Sequence, residues 1–329
     1  MKRNFKYILL IVILIFILIL CLFNNNKTKE GFLDTTHKKT IYLVWRNKIP
    51  NSGTNHGFGD KLRGAIFLYQ YCKKNKINFK IDATDDICSD FLKNVKSPDY
   101  DKIKNQQIVN FGDKPEKEVK KKISKMLNEK TIKNNNPFLN KNMNIQNTNT
   151  NTIYIYTNTW PNDLNTDDKE FAKFICEPND DILAEVNEKM KNLPKNFGIQ
   201  HFRFKDDVFK NDVTDNNKLF EKYFNLLFEN NKDTDVLFTN SNNFKKYAKE
   251  ELSIKTVDCD NDLCKIEHIG NSNNKESVKN SFIEFIILSK AKYIKSHTCY
   301  SWPSNFVHWP AKIYDIPFDN FYIDEKTLT

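Results

Sequence analysis

The sequence predicts an α/β protein: two doubly wound, Rossmann-like domains behind an N-terminal transmembrane helix. Three observations carry that expectation. Phe5 to Phe23 is an apolar run interrupted only by Lys6, long enough to cross a bilayer as a helix. From residue 39 onward, segments rich in β-branched and aromatic residues alternate with stretches whose apolar residues recur every three or four positions, the signatures of strand and helix. The alternation starts twice, near Thr40 and again near Phe197, and each series can build one parallel sheet. The expected boundaries are 1–23 for a cytoplasmic tip and transmembrane signal anchor, 24–38 for a stalk, 39–195 for the first domain and 196–329 for the second.

No small-residue cleavage site follows the apolar run, so an uncleaved anchor is expected rather than a removed signal peptide. Lys2, Arg3 and Lys6 stand at its start, whereas Lys27 and Lys29 follow it beside Glu30. That asymmetry predicts a cytoplasmic N-terminus and a lumenal or extracellular remainder in the secretory pathway. Seven cysteines are few for 329 residues, and Cys21 lies in the span. The others can pair in an oxidising lumen, Cys259 with Cys264 first among them, or remain buried thiols. Lys and Arg total 51 against 42 Asp and Glu, a net charge of +9, but the lysines are interspersed with acids. Nucleic-acid binding needs a concentrated basic footprint and is not expected. Neither a C-x-x-C pair nor an H-E-x-x-H motif occurs, so no zinc site is predicted.

Thr40 to Trp45 reads as a buried strand, and Leu62, Ala65, Ile66, Tyr69 and Cys72 give the following helix one apolar face. Ile77 to Asp82 is a second strand, with a helical patch from Ile87 to Val95. In the charged stretch Lys114 to Glu129, the residues Val119, Ile123 and Met126 form the narrow stripe of a surface helix. An Asn/Thr-rich connector, Asn134 to Thr152, leads to a strand at Ile153 to Tyr156 and a helix at Asp180 to Leu193. The second series runs through a strand at Phe197 to Arg203, a helix at Leu219 to Phe228, a strand at Asp235 to Thr239 and a helix at Phe244 to Leu252. A long apolar helix at Ser277 to Ser289 and a strand at Ala291 to Ile294 follow.

Doubly wound sheets bind ligands beyond the carboxyl ends of their strands, which selects three segments. His56 to Gly64 reads H-G-F-G-D-K-L-R-G. Gly57 and Gly59 let the backbone approach a ligand, and the start of the next helix offers N–H groups to an anion; alternatively, Asp60 simply caps that helix. As a dinucleotide fingerprint the segment is incomplete, because Leu62 occupies the third glycine position. His201 to Asp207 places His201 and Arg203 ahead of Asp206 and Asp207. The planar fork of Arg203 suits a phosphate, or it pairs with its acidic neighbours at the surface. Ser296 to Phe306 is dense in hydroxyls, with Ser301, Ser304, Asn305 and Phe306 around Pro303; it reads either as a phosphate site or as an ordinary capped helix start.

G-x-G-D-x-x-R-G after the first strand, H-x-R with a following Asp in mid-chain, and L-S-K-A-K-Y-I leading to a Ser-x-Phe segment resemble the fucosyltransferase superfamily. That group includes the protein O-fucosyltransferases and the nodulation and core α-1,6-fucosyltransferases. The short motifs span most of residues 40 to 310. The resemblance implies two facing Rossmann-like domains of the GT-B-like kind, the first on the acceptor side and the second holding the nucleotide sugar. It implies GDP-fucose as donor, a glycan or protein acceptor, no metal and no further cofactor. It also implies that Arg203 grips the donor diphosphate, that His201 and Asp206 shape the same pocket, and that Ser304 with its neighbours Ser301, Asn305 and Phe306 meets phosphate. Gly57, Gly59 and Arg63 become the opposing wall, facing the transferred sugar, and Asp60 becomes the candidate base or acceptor-orienting group. Where the family carries a Thr-Asp-Asp-like strand end against the donor base, this chain has Thr239-Asn240-Ser241; Phe204 stands where several α-1,2 and α-1,6 members have a second arginine. The implied reaction is a direct displacement: an acceptor hydroxyl attacks the anomeric carbon, and Arg203 stabilises the charge growing on the departing GDP.

Two other classes fit parts of the sequence. A metal-dependent glycosyltransferase needs a D-x-D motif, which Asp233-Thr234-Asp235 and Asp258-Cys259-Asp260 both match, although the first runs into an apolar strand instead of ending one. Asp258, Asp260 and Asp262 imitate the opening of a calcium loop whose sixth-position glycine and twelfth-position glutamate are missing. A membrane-anchored sugar-binding protein that has lost turnover would keep the fold.

Overall fold

The computed structural model describes residues 37, 39–46, 57–95, 108–128, 152–209, 212–214, 216–259, 262–263, 265–269, 272 and 274–324. The apolar run at Phe5 to Phe23, nearly all of the stalk and the Cys264 end of the suggested bridge lie outside the described residues. Among those described, no helix is long and apolar enough to cross a membrane.

The first half runs β1 (Thr40–Arg46), α1 (Phe58–Asn75), β2 (Asn78–Asp85), β3 (Ile108–Gly112), α2 (Glu116–Asn128), β4 (Thr152–Thr157), α3 (Thr166–Ile175) and α4 (Asp180–Lys191). The second runs β5 (Gly198–Arg203), α5 (Lys218–Asn230), β6 (Asp235–Thr239), α6 (Asn242–Leu252), a small hairpin of β7 (Asp258–Cys259) and β8 (Asp262–Leu263), α7 (Lys275–Leu288), β9 (Ile294–Thr298), α8 (Asn305–Tyr314) and β10 (Phe318–Tyr322). Strands pair in the orders β2-β1-β4-β3 and β10-β9-β5-β6, and every pairing within these two sheets is parallel. The chain is therefore an α/β protein with two parallel four-stranded sheets.

Several elements differ from the sequence expectation. The patch at Ile87 to Val95 holds only one 3₁₀ turn, Ile87–Asp90, capped by the Asp86 carboxylate. Strand β9 begins where the expected strand ended, so Ser296, His297 and Thr298 are inside the sheet. The strand pairs on both sides, with β5 and β10, and two of its polar side chains find partners there: the Ser296 hydroxyl meets His201 Nδ1 at 2.9 Å and the Thr298 hydroxyl accepts from the Tyr300 N–H at 3.1 Å. Strand β3, helices α3 and α8 and strand β10 lack a periodic apolar signal long enough to be read. In α4, Ile182 and Val186 are buried while Leu183 faces solvent.

The boundary at residue 195/196 separates the sheets, yet the halves share a core. Phe58 of α1 meets Phe282 and Phe285 of α7 edge-on, with ring centroids 5.3 and 4.8 Å apart, and Trp45 of β1 at 6.0 Å. Burying such a ring contributes about 2–3 kcal/mol. Close approach also requires glycine: a Cβ on Gly64 would stand 1.8 Å from the Thr157 carbonyl oxygen, and one on Gly59 would stand 2.5 Å from that of Asn305. A second cluster around Phe202, Phe204, Tyr223 and Phe244 anchors α5 and α6 to the second sheet. Lys245 of α6 pairs with Glu284 of α7 at 2.6 Å in the interior.

Candidate functional site

Helix α1 starts from Gly57, whose backbone is extended and whose carbonyl accepts from the N–H groups of Asp60 and Lys61 at 3.0 and 3.1 Å. Asp60 is therefore a first-turn residue and not the cap. Its carboxylate accepts a 2.7 Å hydrogen bond from the Asn305 side-chain amide and lies 3.4 Å from the Arg63 guanidinium. Burial lowers the Arg63 pKa against the pull of Asp60. The guanidinium lies over the ring of Trp160 at 4.5 Å. Trp160 is 43% exposed, and a tryptophan three residues beyond a strand end is a signal the sequence reading passed over. Lys61 turns the other way, into a buried pair with Asp86.

Arg203 closes β5. One arm donates to the Phe204 carbonyl at 2.9 Å, the other pairs with Asp206, and the guanidinium sits 5.7 Å from the ring centroid of Tyr300. The Tyr300 hydroxyl in turn accepts from the Asp206 backbone N–H at 3.1 Å. The surface-pairing alternative thus describes how Arg203 is held, but its partner is 72% exposed, and a pair so wetted contributes little stability. Exchange of Asp206 for a more highly charged anion would cost little.

The neighbouring strand end braces this arginine from behind. Asn240 accepts from the Phe204 N–H at 2.7 Å and donates to the Phe204 carbonyl at 3.1 Å. Thr239 is buried, its hydroxyl accepting from the Ser241 N–H. His201 is 3% exposed, and its Nδ1 is 2.9 Å from the Ser296 hydroxyl. Burial, with Arg203 adding, pushes its pKa down to about 3. His201 thus lies within the sheet, bonded to Ser296 of the neighbouring strand, two residues before Arg203.

Ser304 holds the N-cap position of α8 without a side-chain cap; its carbonyl accepts from the N–H groups of Val307 and His308. Ser301 is exposed. Phe306 packs on Phe285 at 5.7 Å, which makes it a core partner. The structure brings Gly57, Gly59, Asp60 and Arg63 together with Asn305. It also introduces His268, whose ring edge would lie 3.2 Å from a Cβ on Gly57. Burial first, then Arg203, push His268 down to about 4, while Asp206 and Asp60 act in the opposite sense. One imidazole thus feels charges from both halves. A single histidine in an irregular stretch carries no periodic signal.

The D-x-D acids are engaged elsewhere. Asp235 is buried and accepts from Gln200 at 2.8 Å, from the Lys232 N–H and from the Tyr293 hydroxyl. Asp258 is 2.8 Å from the Lys249 ammonium; Asp260 lies outside the described residues. Among the described residues no group of three or more His, Cys, Asp or Glu could hold a metal ion. Cys72, Cys88 and Cys176 are buried free thiols, and Cys299 is a partly buried one.

No protein-family model matches the sequence, and no curated protein matches it. Among solved structures, the chain is similar to the NodZ α-1,6-fucosyltransferase co-crystallised with GDP, at 10% identity and a TM-score of 0.49, covering 88% of this chain and 96% of that one. NodZ from Bradyrhizobium gives 0.48 at the same identity and coverage. Arabidopsis thaliana FUT1 in complex with GDP gives 0.46 at 8% identity, covering 92% and 75%. POFUT1 in complex with GDP gives 0.44 at 10% identity, covering 88% and 100%. The chain is thus similar in structure, across most of its length and at low identity, to NodZ, FUT1 and POFUT1.

Proposed function

We propose that this chain is a glycosyltransferase: an inverting, metal-independent fucosyltransferase that moves fucose from GDP-fucose to a hydroxyl of a glycan or protein. The observation that carries the reading is the convergence of three segments distant in sequence at the junction of the two sheets. Asp60 meets Asn305 directly, and His268 lies in the electrostatic reach of both Asp60 and Arg203. The donor's identity comes from the motif resemblance.

In this reading the diphosphate replaces Asp206 on Arg203, whose fork makes two parallel bonds to phosphate oxygens. As the bond from the anomeric carbon to the departing phosphate oxygen breaks, negative charge grows on GDP and Arg203 stabilises it, a contribution worth about 3–4 kcal/mol for one well-placed donor. Asp60 takes the proton of the attacking hydroxyl or orients it, with Asn305 and Arg63 fixing the carboxylate. Residues 39–195 supply the acceptor side and residues 196–329 the donor side, with residues 5–23 anchoring the whole to a membrane and the site in the lumen.

Thermal stabilisation across a panel of nucleotide sugars tests the proposal. GDP and GDP-fucose should raise the melting temperature and UDP sugars should not; a response to UDP compounds alone would overturn it.

A further inference from the structure

A cavity of about 530 Å³ opens between helix α5 and the edge strand β10. Lys222 and Leu226 of α5, Lys295 and His297 of β9, and Phe321 and Tyr322 of β10 form its wall. The strand register explains the arrangement. Phe202, His297 and Phe321 are direct neighbours across β5, β9 and β10. Their rings stack, His297 lying 4.6 Å from Phe202 and 5.0 Å from Phe321.

Three features ask for a ligand. His297 is only 4% exposed, yet neither ring nitrogen has a hydrogen-bond partner, a condition that buried polar atoms rarely keep. Lys222 and Lys295 put two ammonium groups on its wall. Phe321 and Tyr322 are 44% and 53% exposed on an edge strand, where large apolar side chains invite unwanted pairing unless something covers them.

We propose that this cavity binds an acidic saccharide. The apolar face of a pyranose ring rests on Phe321, a shape that aromatic side chains accept because ring C–H groups meet the electron-rich face. A neutral imidazole is one donor and one acceptor, so the ring edge of His297 on the cavity wall can bond one sugar hydroxyl. Lys222 and Lys295 hold one carboxylate or sulfate group. Asp324 on the rim disfavours a compact, highly charged anion such as inorganic phosphate. None of the cavity's residues belongs to the proposed transfer site, so the inference does not depend on fucosyl transfer.

Isothermal titration of the full chain with a glucuronic-acid-terminated disaccharide, against cellobiose as the neutral control, tests it. The acidic sugar should bind at least tenfold more tightly than cellobiose and should still bind in saturating GDP. Lys295→Gln and Phe321→Ala should each weaken it tenfold or more, with unchanged circular dichroism and an unchanged response to GDP. Lys222→Gln, on the rim of the helix, should weaken it without touching the sheet. No binding of the acidic disaccharide, equal affinity for cellobiose, or undiminished binding in the variants would overturn the proposal and leave the donor-site reading untouched.

Discussion

The side-chain amide of Asn305 donates a 2.7 Å hydrogen bond to the carboxylate of Asp60, tying α8 to α1 across 245 positions of sequence. A hydrogen bond to a charged group contributes about 1.5–3 kcal/mol. Asn305→Ala should therefore lower stability by roughly that amount, measured by urea unfolding. Asp60→Asn should keep the fold while transfer falls by about two orders of magnitude, the scale of a lost general base; full activity would remove Asp60 from the chemistry.

Arg203 stands differently, because the acid it pairs with, Asp206, is 72% exposed. Arg203→Ala should leave the melting temperature nearly unchanged while reducing transfer by about 10²–10³-fold. Arg203→Lys should recover only part of the loss, since a point charge lacks the planar fork. Donor consumption and circular dichroism together check both statements, and a folded, fully active Arg203→Ala would refute the donor assignment.

Gly59 and Gly64 are tight for protein reasons. Gly64→Ala would force a methyl into the Thr157 carbonyl, and Gly59→Ala into the Asn305 backbone. Overpacking of this kind costs about 1–3 kcal/mol or more. The first should appear as lost stability of the first sheet. The second should part α1 from α8, so its transfer rate should fall further than its melting temperature suggests.

Acid should unfold the protein early. Burial holds His201 at about 3 and His297 at about 4, against an ordinary 6.5. Both rings are neutral when folded, so the unfolded chain binds more protons below pH 6.5. The stability present above pH 6.5 is lost progressively as pH falls through the folded values. His201→Gln should flatten the fall in melting temperature between pH 6.5 and 4; an unchanged slope would contradict the assignment.

Local periodicity was enough to reveal β1, α1, α2, β5, β6 and the run of helices α4 to α7, because each buries one face whose spacing follows from its own geometry. Asp60, Arg203 and Asn305 were singled out differently, by their places at strand ends and by the motif resemblance. Spacing cannot say what lies across from a residue. Ser296, His297 and Thr298 read as a polar loop until pairing on both edges of β9 put them in a sheet. His201 read as a residue at a strand end, and the sheet encloses it. The glycines at 57 and 59 read as room for a ligand; the fold places His268 and the Asn305 backbone where a Cβ on them would stand. Packing between segments distant in sequence decided those places, since only the folded chain determines which surfaces lose water together.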